Sequence, residues 1–201
     1  LQTPVLADIE FNGMQLDEKR VIELHDRYEQ EYVKVEGELA EITGGVNPNS
    51  PKQMAEFIYD TLGFSELKDQ RGNPIRTAGG QRSASQTTIA KLAPSNSNQR
   101  RFLELKARQG DLNAKLTKGL TKFKECCEEN GGLLHASINQ TVTETGRYSS
   151  NGKKYKAQLQ NIDRDFKPLF CARHSDWLVG EADEAQLEFR AGVFFGQDPQ
   201  G

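Results

Sequence analysis

WLVGEADEAQLEFRAGVFFGQD, residues 177–198, is the stretch from which the fold is read. Leu178, Val179, Gly180 and Ala182 make an apolar run of strand length. From Leu187 on, Phe189, Ala191, Val193 and Phe194 recur at helical spacing. The pattern predicts a short buried strand running straight into a helix. Asp183 falls at the junction, where a strand end presents a side chain beyond its sheet, and a carboxylate placed there suits a hard divalent cation. Strand periodicity puts Glu181 on the same face as Asp183, and Glu188 follows in the first turns of the helix. On composition alone the same acids are a solvated strand end, and at this point both readings stand.

Upstream stretches narrow the choice. DEAQLEFR (183–190) resembles motif A of the family A DNA polymerases, usually DYSQIELR: Asp183, Gln186, Glu188 and Arg190 match in order and spacing, and the form is similar to that of phage-encoded members. HASINQTVTETGRYSS (135–150) is similar to the family's HTSFNQTVTATGRLSS, LQNI (159–162) to another of its signatures, and NPNSPKQ (47–53) to the N-x-x-S-P-K-Q that opens a thumb helix. SASQTTIAKL (83–92) resembles the family's S-T-S-x-x-V-L-x-x-L, and the segment before residue 17 resembles the one that opens the polymerase region. The motifs stand in family order over nearly the whole chain.

The resemblance implies an α+β fold: a thumb of long antiparallel helices over residues 1–130, then, over residues 131–201, the start of a palm with a small antiparallel sheet and the strand-to-helix motif. It also implies two-metal phosphoryl transfer with Mg²⁺. Asp183 would hold both ions, the Glu184 carbonyl would add an oxygen, and Glu188 would crowd the sugar 2′ position and exclude ribonucleotides. Arg147 matches the arginine that reaches the minor groove near the primer end, where every base pair shows an N3 or O2 acceptor. Gln160 and Asn161 match residues near the same duplex. The partners implied are primer–template DNA, deoxyribonucleoside triphosphates and the remainder of a polymerase chain. The family's fingers lysine and the second aspartate, from a later H-D-E motif, have no counterpart here, so the chain by itself is expected to bind duplex without extending it. The chain departs from the family at 151–158, a longer insertion with Lys153, Lys154 and Lys156, and at Asp163, where proline is usual. Two other classes are weighed beside this one. A non-catalytic nucleic-acid-binding module predicts affinity without turnover, and a metal-dependent nuclease using Asp183, Glu181 and Glu188 predicts cleavage.

Composition agrees with an extended helical shape: 35% hydrophobic and 27% charged residues leave little for a deep core. No apolar run in these 201 residues is long enough to span a membrane,. Three cysteines, Cys126, Cys127 and Cys171, two of them adjacent in a helical pattern, fit a reducing, cytoplasmic setting. The formal charge of −3 hides a segregation, because residues 1–62 carry −8, residues 63–130 carry +6 and the remainder −1. The middle third is the surface suited to a polyanion.

Periodicity places the helices. Val21, Leu24, Tyr28, Tyr32, Val35, Leu39 and Ile42 form one stripe of a helix over 17–42, ended by Gly44-Gly45. Ser50, Pro51 and Gln53 stand where a cap, a first-turn proline and a capping box belong. A second long helix over 99–128 carries Leu105, Leu112, Leu116, Leu120, Phe123 and Cys127 on one face and Lys115, Lys118 and Lys122 on another. Those lysines either contact DNA phosphates or are simply solvated. After Gly131-Gly132, 134–141 alternates like a strand and 145–150 reads as its partner.

Overall fold

The computed structural model of the protein describes residues 2–48, 50–77, 79–151, 159 and 162–196. A helix, α1 (Gln2–Asn12), and a short strand, β1 (Met14–Leu16), precede the long helix α2 (Glu18–Thr43). Asp17 caps α2, accepting the Arg20 N–H, and Gly44 ends it with φ +63° in the left-handed region,. α3 (Pro51–Glu56) runs into a π-type turn, Phe57–Thr61, closed by the Leu62 N–H on the Phe57 carbonyl at 2.8 Å. Proline opens α3 as expected, but the capping box does not form: Ser50 makes no side-chain cap, and Gln53 accepts the Asn47 N–H instead.

After a polar loop comes a single turn, α4 (Gln86–Ile89), capped by Ser85. The second long helix is interrupted. α5 (Ser97–Lys115) and α6 (Thr121–Asn130) flank a π-type segment, Leu116–Leu120, in which the Thr121 N–H reaches back to Leu116. A ring packs closely against this segment. A Cβ on Gly119 would lie 2.3 Å from Cε2 of Phe166, which is itself buried against Phe123 at 5.8 Å. The extra residue of the helix lies where that ring packs against it,.

α2 and α5–α6 lie antiparallel, as the crossing ion pairs show: Asp26–Lys124, Glu31–Arg108 and Glu38–Arg101 run in opposite sequence order. Between them lies the core. Val21, Leu24, Tyr28, Val35 and Leu39 of α2 face Phe102, Leu105, Leu112, Leu120 and Phe123, joined by Met54, Phe57 and Ile58. Each such side chain contributes about 1.5–3 kcal/mol on burial.

The sheet is built from distant pieces. β2 (Leu133–Leu134) and β5 (Phe170–Cys171) both pair antiparallel with β1, giving the order β2-β1-β5. Neither β1 nor β5 is long enough for its alternation to be read. The middle strand therefore comes from residues before α2, so the expected division at residue 130 is crossed by the chain's first strand. Gly13 (φ +60°) makes the turn into β1, and a Cβ there would lie 2.7 Å from the Leu134 carbonyl oxygen. β3 (Ser137–Asn139) pairs with β4 (Ser149–Asn151) in register Ser137↔Asn151, as the alternating pattern anticipated, but 134–141 is not one strand. A 3₁₀ turn, Arg164–Leu169, leads into β5. α7 (Leu187–Gly196) follows an irregular stretch.

That stretch corrects the opening expectation. Residues 178–182 are not a strand, and Leu178 is 97% exposed. A buried strand needs a neighbour on its edge and cover on its face, and among the described residues nothing pairs with this run. α7 forms where periodicity placed it, yet none of its residues is buried.

Candidate nucleic-acid and metal site

Motif A sits on the exposed entry to α7. Gln186 has φ +53°, the one described non-glycine residue in the left-handed region, and its carbonyl accepts the Arg190 N–H at 3.0 Å. A bulky residue held there costs free energy, and such positions gather at functional sites.

The three acids of the motif, and Glu181 just before it, have different environments. Glu184 is paired with Arg190 at 3.0 Å, Glu181 with Lys167, and Glu188 with Arg147. Asp183 is exposed and makes no hydrogen bond or ion pair among the described residues. The shared Glu181–Asp183 face is lost with the strand, and Glu181 turns to Lys167 instead. The site thus offers one free carboxylate, where two ions a few ångströms apart need more negative charge. Its oxygens and the nearby backbone carbonyls are the hard donors that Mg²⁺ takes, so the residues fit part of an ion's coordination and no more.

Arg147 and Glu188, 41 residues apart, are brought into contact. Sequence spacing could not have shown this, because it depends on how the β3–β4 hairpin lies against α7. Gln160 and Asn161 lie outside the described residues, as does the insertion over 152–158. Their neighbours Leu159 and Ile162 pack against the core.

The three lysines do not behave alike. Lys115 is only 15% exposed at its side chain, bonded to Asp165 at 2.6 Å and Asp111 at 3.4 Å, and lies 5.7 Å from the centre of the Tyr28 ring. The Asp165 hydrogen bond raises its pKa, and the same bond holds the Asp165 carboxyl below the ordinary carboxylate range. Lys122 is held by Glu125 at 2.9 Å. Only Lys118 is exposed without a partner among the described residues. The π-type segment lies between Lys115 and Lys122, so they do not share the regular face expected.

The charge segregation closes on itself in space. Arg76, Arg82, Arg101, Arg108 and Lys124 of the basic third are paired with Glu66, Asp60, Glu38, Glu31 and Asp26. What remains exposed and unpaired in that third, among the described residues, is Lys68, Arg71, Lys91, Arg100 and Lys118.

Two further groups escaped the sequence reading. Lys106 donates to the Pro48 carbonyl (3.1 Å) and Gln109 Oε1 (2.6 Å), and burial lowers its pKa. The network continues through Gln109 and Glu36 to Tyr32, whose hydroxyl is pushed up to about 12, chiefly by burial. Beside it runs an apolar cleft of about 620 Å³ between α4 and α5, lined by Ile89, Leu103, Ala107 and Ala114. His25, Asp26 and Glu29 bring potential metal-ligand atoms within 4.8 Å of one another, although Asp26 also takes Lys124 at 3.6 Å. The i, i+4 spacing of His25 and Glu29 was a visible signal for that group.

The sequence model of DNA polymerase family A matches residues 18–200. The chain belongs to this family. DNA polymerase I of Bacillus caldotenax is 29% identical to it, and that of Geobacillus stearothermophilus 30%, each alignment covering 96% of this chain and 21% of the relative. The chain thus spans about a fifth of the length of these curated relatives. Its fold is similar to the POL domain of Pol1 from M. smegmatis, solved in complex with DNA primer–template and dNTP. The TM-score is 0.69 at 21% identity, over 96% of this chain and 33% of that one. The family A assignment agrees with long helices followed by small antiparallel sheets. Among the described residues no helix is long and apolar enough to cross a membrane.

Proposed function

We propose that this chain supplies the duplex-holding helices and the motif A portion of the catalytic centre of a template-directed DNA polymerase. Residues 1–130 are the thumb and residues 131–201 the first part of the palm, acting in the cytoplasm with the remainder of a polymerase chain on primer–template DNA and deoxyribonucleoside triphosphates. The observation that carries this reading is Asp183: an exposed carboxylate at the entry to a helix, unpaired among the described residues, within a chain that matches the family over residues 18–200.

In this reading Asp183 and the Glu184 carbonyl hold Mg²⁺, which when bound neutralises charge developing on the transferred phosphoryl group. Glu188 occupies the space that a ribonucleotide's 2′-hydroxyl needs. Arg147 checks the shape of the last base pair from the minor groove, where its donors meet acceptors common to all pairs. Gln160 and Asn161 lie near the same duplex. Of the three lysines proposed for the phosphates, Lys118 is the one left without a partner among the described residues, whereas Lys115 and Lys122 are held by Asp165 and Glu125. Pairing of Glu181 and Glu188 with cations leaves fewer free carboxylates than a stand-alone nuclease needs.

Primer extension with Mg²⁺ tests the reading on three samples: the 201-residue chain, a polymerase carrying this segment, and that polymerase with Asp183→Ala. The short chain is expected to bind primer–template without extending it, because one free carboxylate binds Mg²⁺ weakly. Asp183→Ala should abolish extension while leaving duplex affinity nearly intact. Normal extension by that variant would refute the metal assignment.

A further inference from the structure

Arg147 and Glu188 are each other's counterion in the absence of DNA, and each is held in place by its own backbone. Arg147 ends a turn in which the Gly146 N–H meets the Thr143 carbonyl at 3.2 Å and the Thr143 hydroxyl donates to the Arg147 carbonyl. Glu188 stands in the first turn of α7, where the helix dipole favours a negative charge,. The two side chains that meet between these anchors are 72% and 75% exposed. No other cation touches Glu188 among the described residues.

Magnitudes decide what such a contact can do. An exposed ion pair is screened and shifts an equilibrium by up to about fivefold. A charge-assisted hydrogen bond from an arginine to an acceptor that is desolvated with it shifts one by about ten- to a hundredfold. The pair therefore forms when nothing else is offered and gives way when a base edge is.

We infer that the Arg147–Glu188 pair is a resting latch between the β3–β4 hairpin and α7 that the primer end opens. The inference rests on the roles proposed above for the two residues and adds an order to them. While the latch is closed, Arg147 is not free for the minor groove and the Glu188 carboxylate is turned to a guanidinium instead of a sugar. Duplex binding withdraws Arg147, and Glu188 becomes available to the incoming nucleotide only after the primer end is seated. By linkage, whatever removes Glu188 from the pair must favour duplex binding by the same factor.

The test is a binding cycle. The affinity of the 201-residue chain for a fluorescently labelled primer–template is measured by anisotropy for the parent, Glu188→Gln, Arg147→Gln and the double variant. The exposure of both side chains leaves the fold intact, which melting curves check. Glu188→Gln should bind about two- to fivefold tighter than the parent, the size of an exposed pair. Arg147→Gln should bind about tenfold weaker, and adding Glu188→Gln to it should gain nothing. An equal gain from Glu188→Gln in both backgrounds would mean general relief of repulsion and would overturn the latch, as would no gain in either. Failure of the parent to bind duplex at low salt would overturn the duplex-binding reading and the latch together, whereas binding without coupling removes the latch alone.

Discussion

Gly119 is the residue at which backbone and core are most closely matched. Alanine there brings a helix-propensity gain of about 1 kcal/mol. Its methyl group would meet the buried Phe166 ring, and overpacking a filled core costs about 1–3 kcal/mol,. The ring cannot swing clear, because Phe123 packs edge-on against it. Gly119→Ala should therefore lower the denaturant midpoint, and Phe166→Leu should recover part of the loss; a raised midpoint would contradict the packing account. Cys127 gives a second residue-scale test. Burial pushes its thiol up to about 11, and Cys171, half-buried, is raised as well. Both are protonated near neutrality and poor nucleophiles. Thiol reagent at about pH 8 should modify Cys171 before Cys127, and both should react much faster once the chain is unfolded. Equal rates in the folded chain would contradict the burial. For Glu188, alanine in a polymerase carrying this segment should admit ribonucleotides, and unchanged sugar discrimination would remove it from the gate.

The lysines of α5–α6 separate at the scale of the element. Lys118 projects freely, so Lys118→Glu should reduce the log–log salt slope of duplex binding by about 1 or more. Lys115 is committed to Asp165 and Asp111 across the α5–3₁₀ contact, so its replacement should change stability more than the slope. A slope unchanged by Lys118→Glu would mean that this lysine is merely solvated. The pH dependence follows from the same contact. The folded carboxyls of Asp165 and Glu31 are lowered, first by their hydrogen bonds to Lys115 and Arg108. A lowered carboxyl stabilises fully above its unfolded value, near 4, and loses that contribution as pH falls through the folded value. Lys115→Met should therefore blunt the acid unfolding transition and, because the folded Lys115 pKa is raised, should also remove stability that the parent loses as pH rises through that value,.

Over the whole molecule, acids from the first third neutralise many cations of the middle third, and several large apolar side chains stay exposed around α7. Leu178, Phe189, Phe194 and Phe195 are 97%, 60%, 76% and 80% exposed. Exposed rings such as Phe194 and Phe195, which pack edge-on at 5.4 Å, bind hydrophobic dyes,. Phe194→Ser with Phe195→Ser should lower dye fluorescence without shifting the melting temperature, since neither ring is in the core. A drop in melting temperature would show that α7 contributes to the stability of the rest.

Local chemistry is enough for α2 and for the span, though not the interruption, of α5–α6. The stripe from Val21 to Leu39, the Gly44 stop and the pairing of the strand after Gly131-Gly132 with the segment over 145–150 are legible because each rests on a local pattern. So is membership of the polymerase family, which rests on side chains in fixed order. The β2-β1-β5 sheet was not legible, because strands of two and three residues carry no period and owe their pairing to positions more than a hundred residues apart. The close packing of Phe166 on Gly119 in the π-type segment is hidden for the same reason, since the two lie far apart along the chain. Charge was the sharpest divergence. Sequence counts net charge by segment, but a polyanion meets only cations left unpaired after helices align, and antiparallel packing of α2 on α5–α6 decided which those were. The apolar composition of 178–182 predicts burial; whether the run is buried depends on a covering neighbour, which no local pattern can specify.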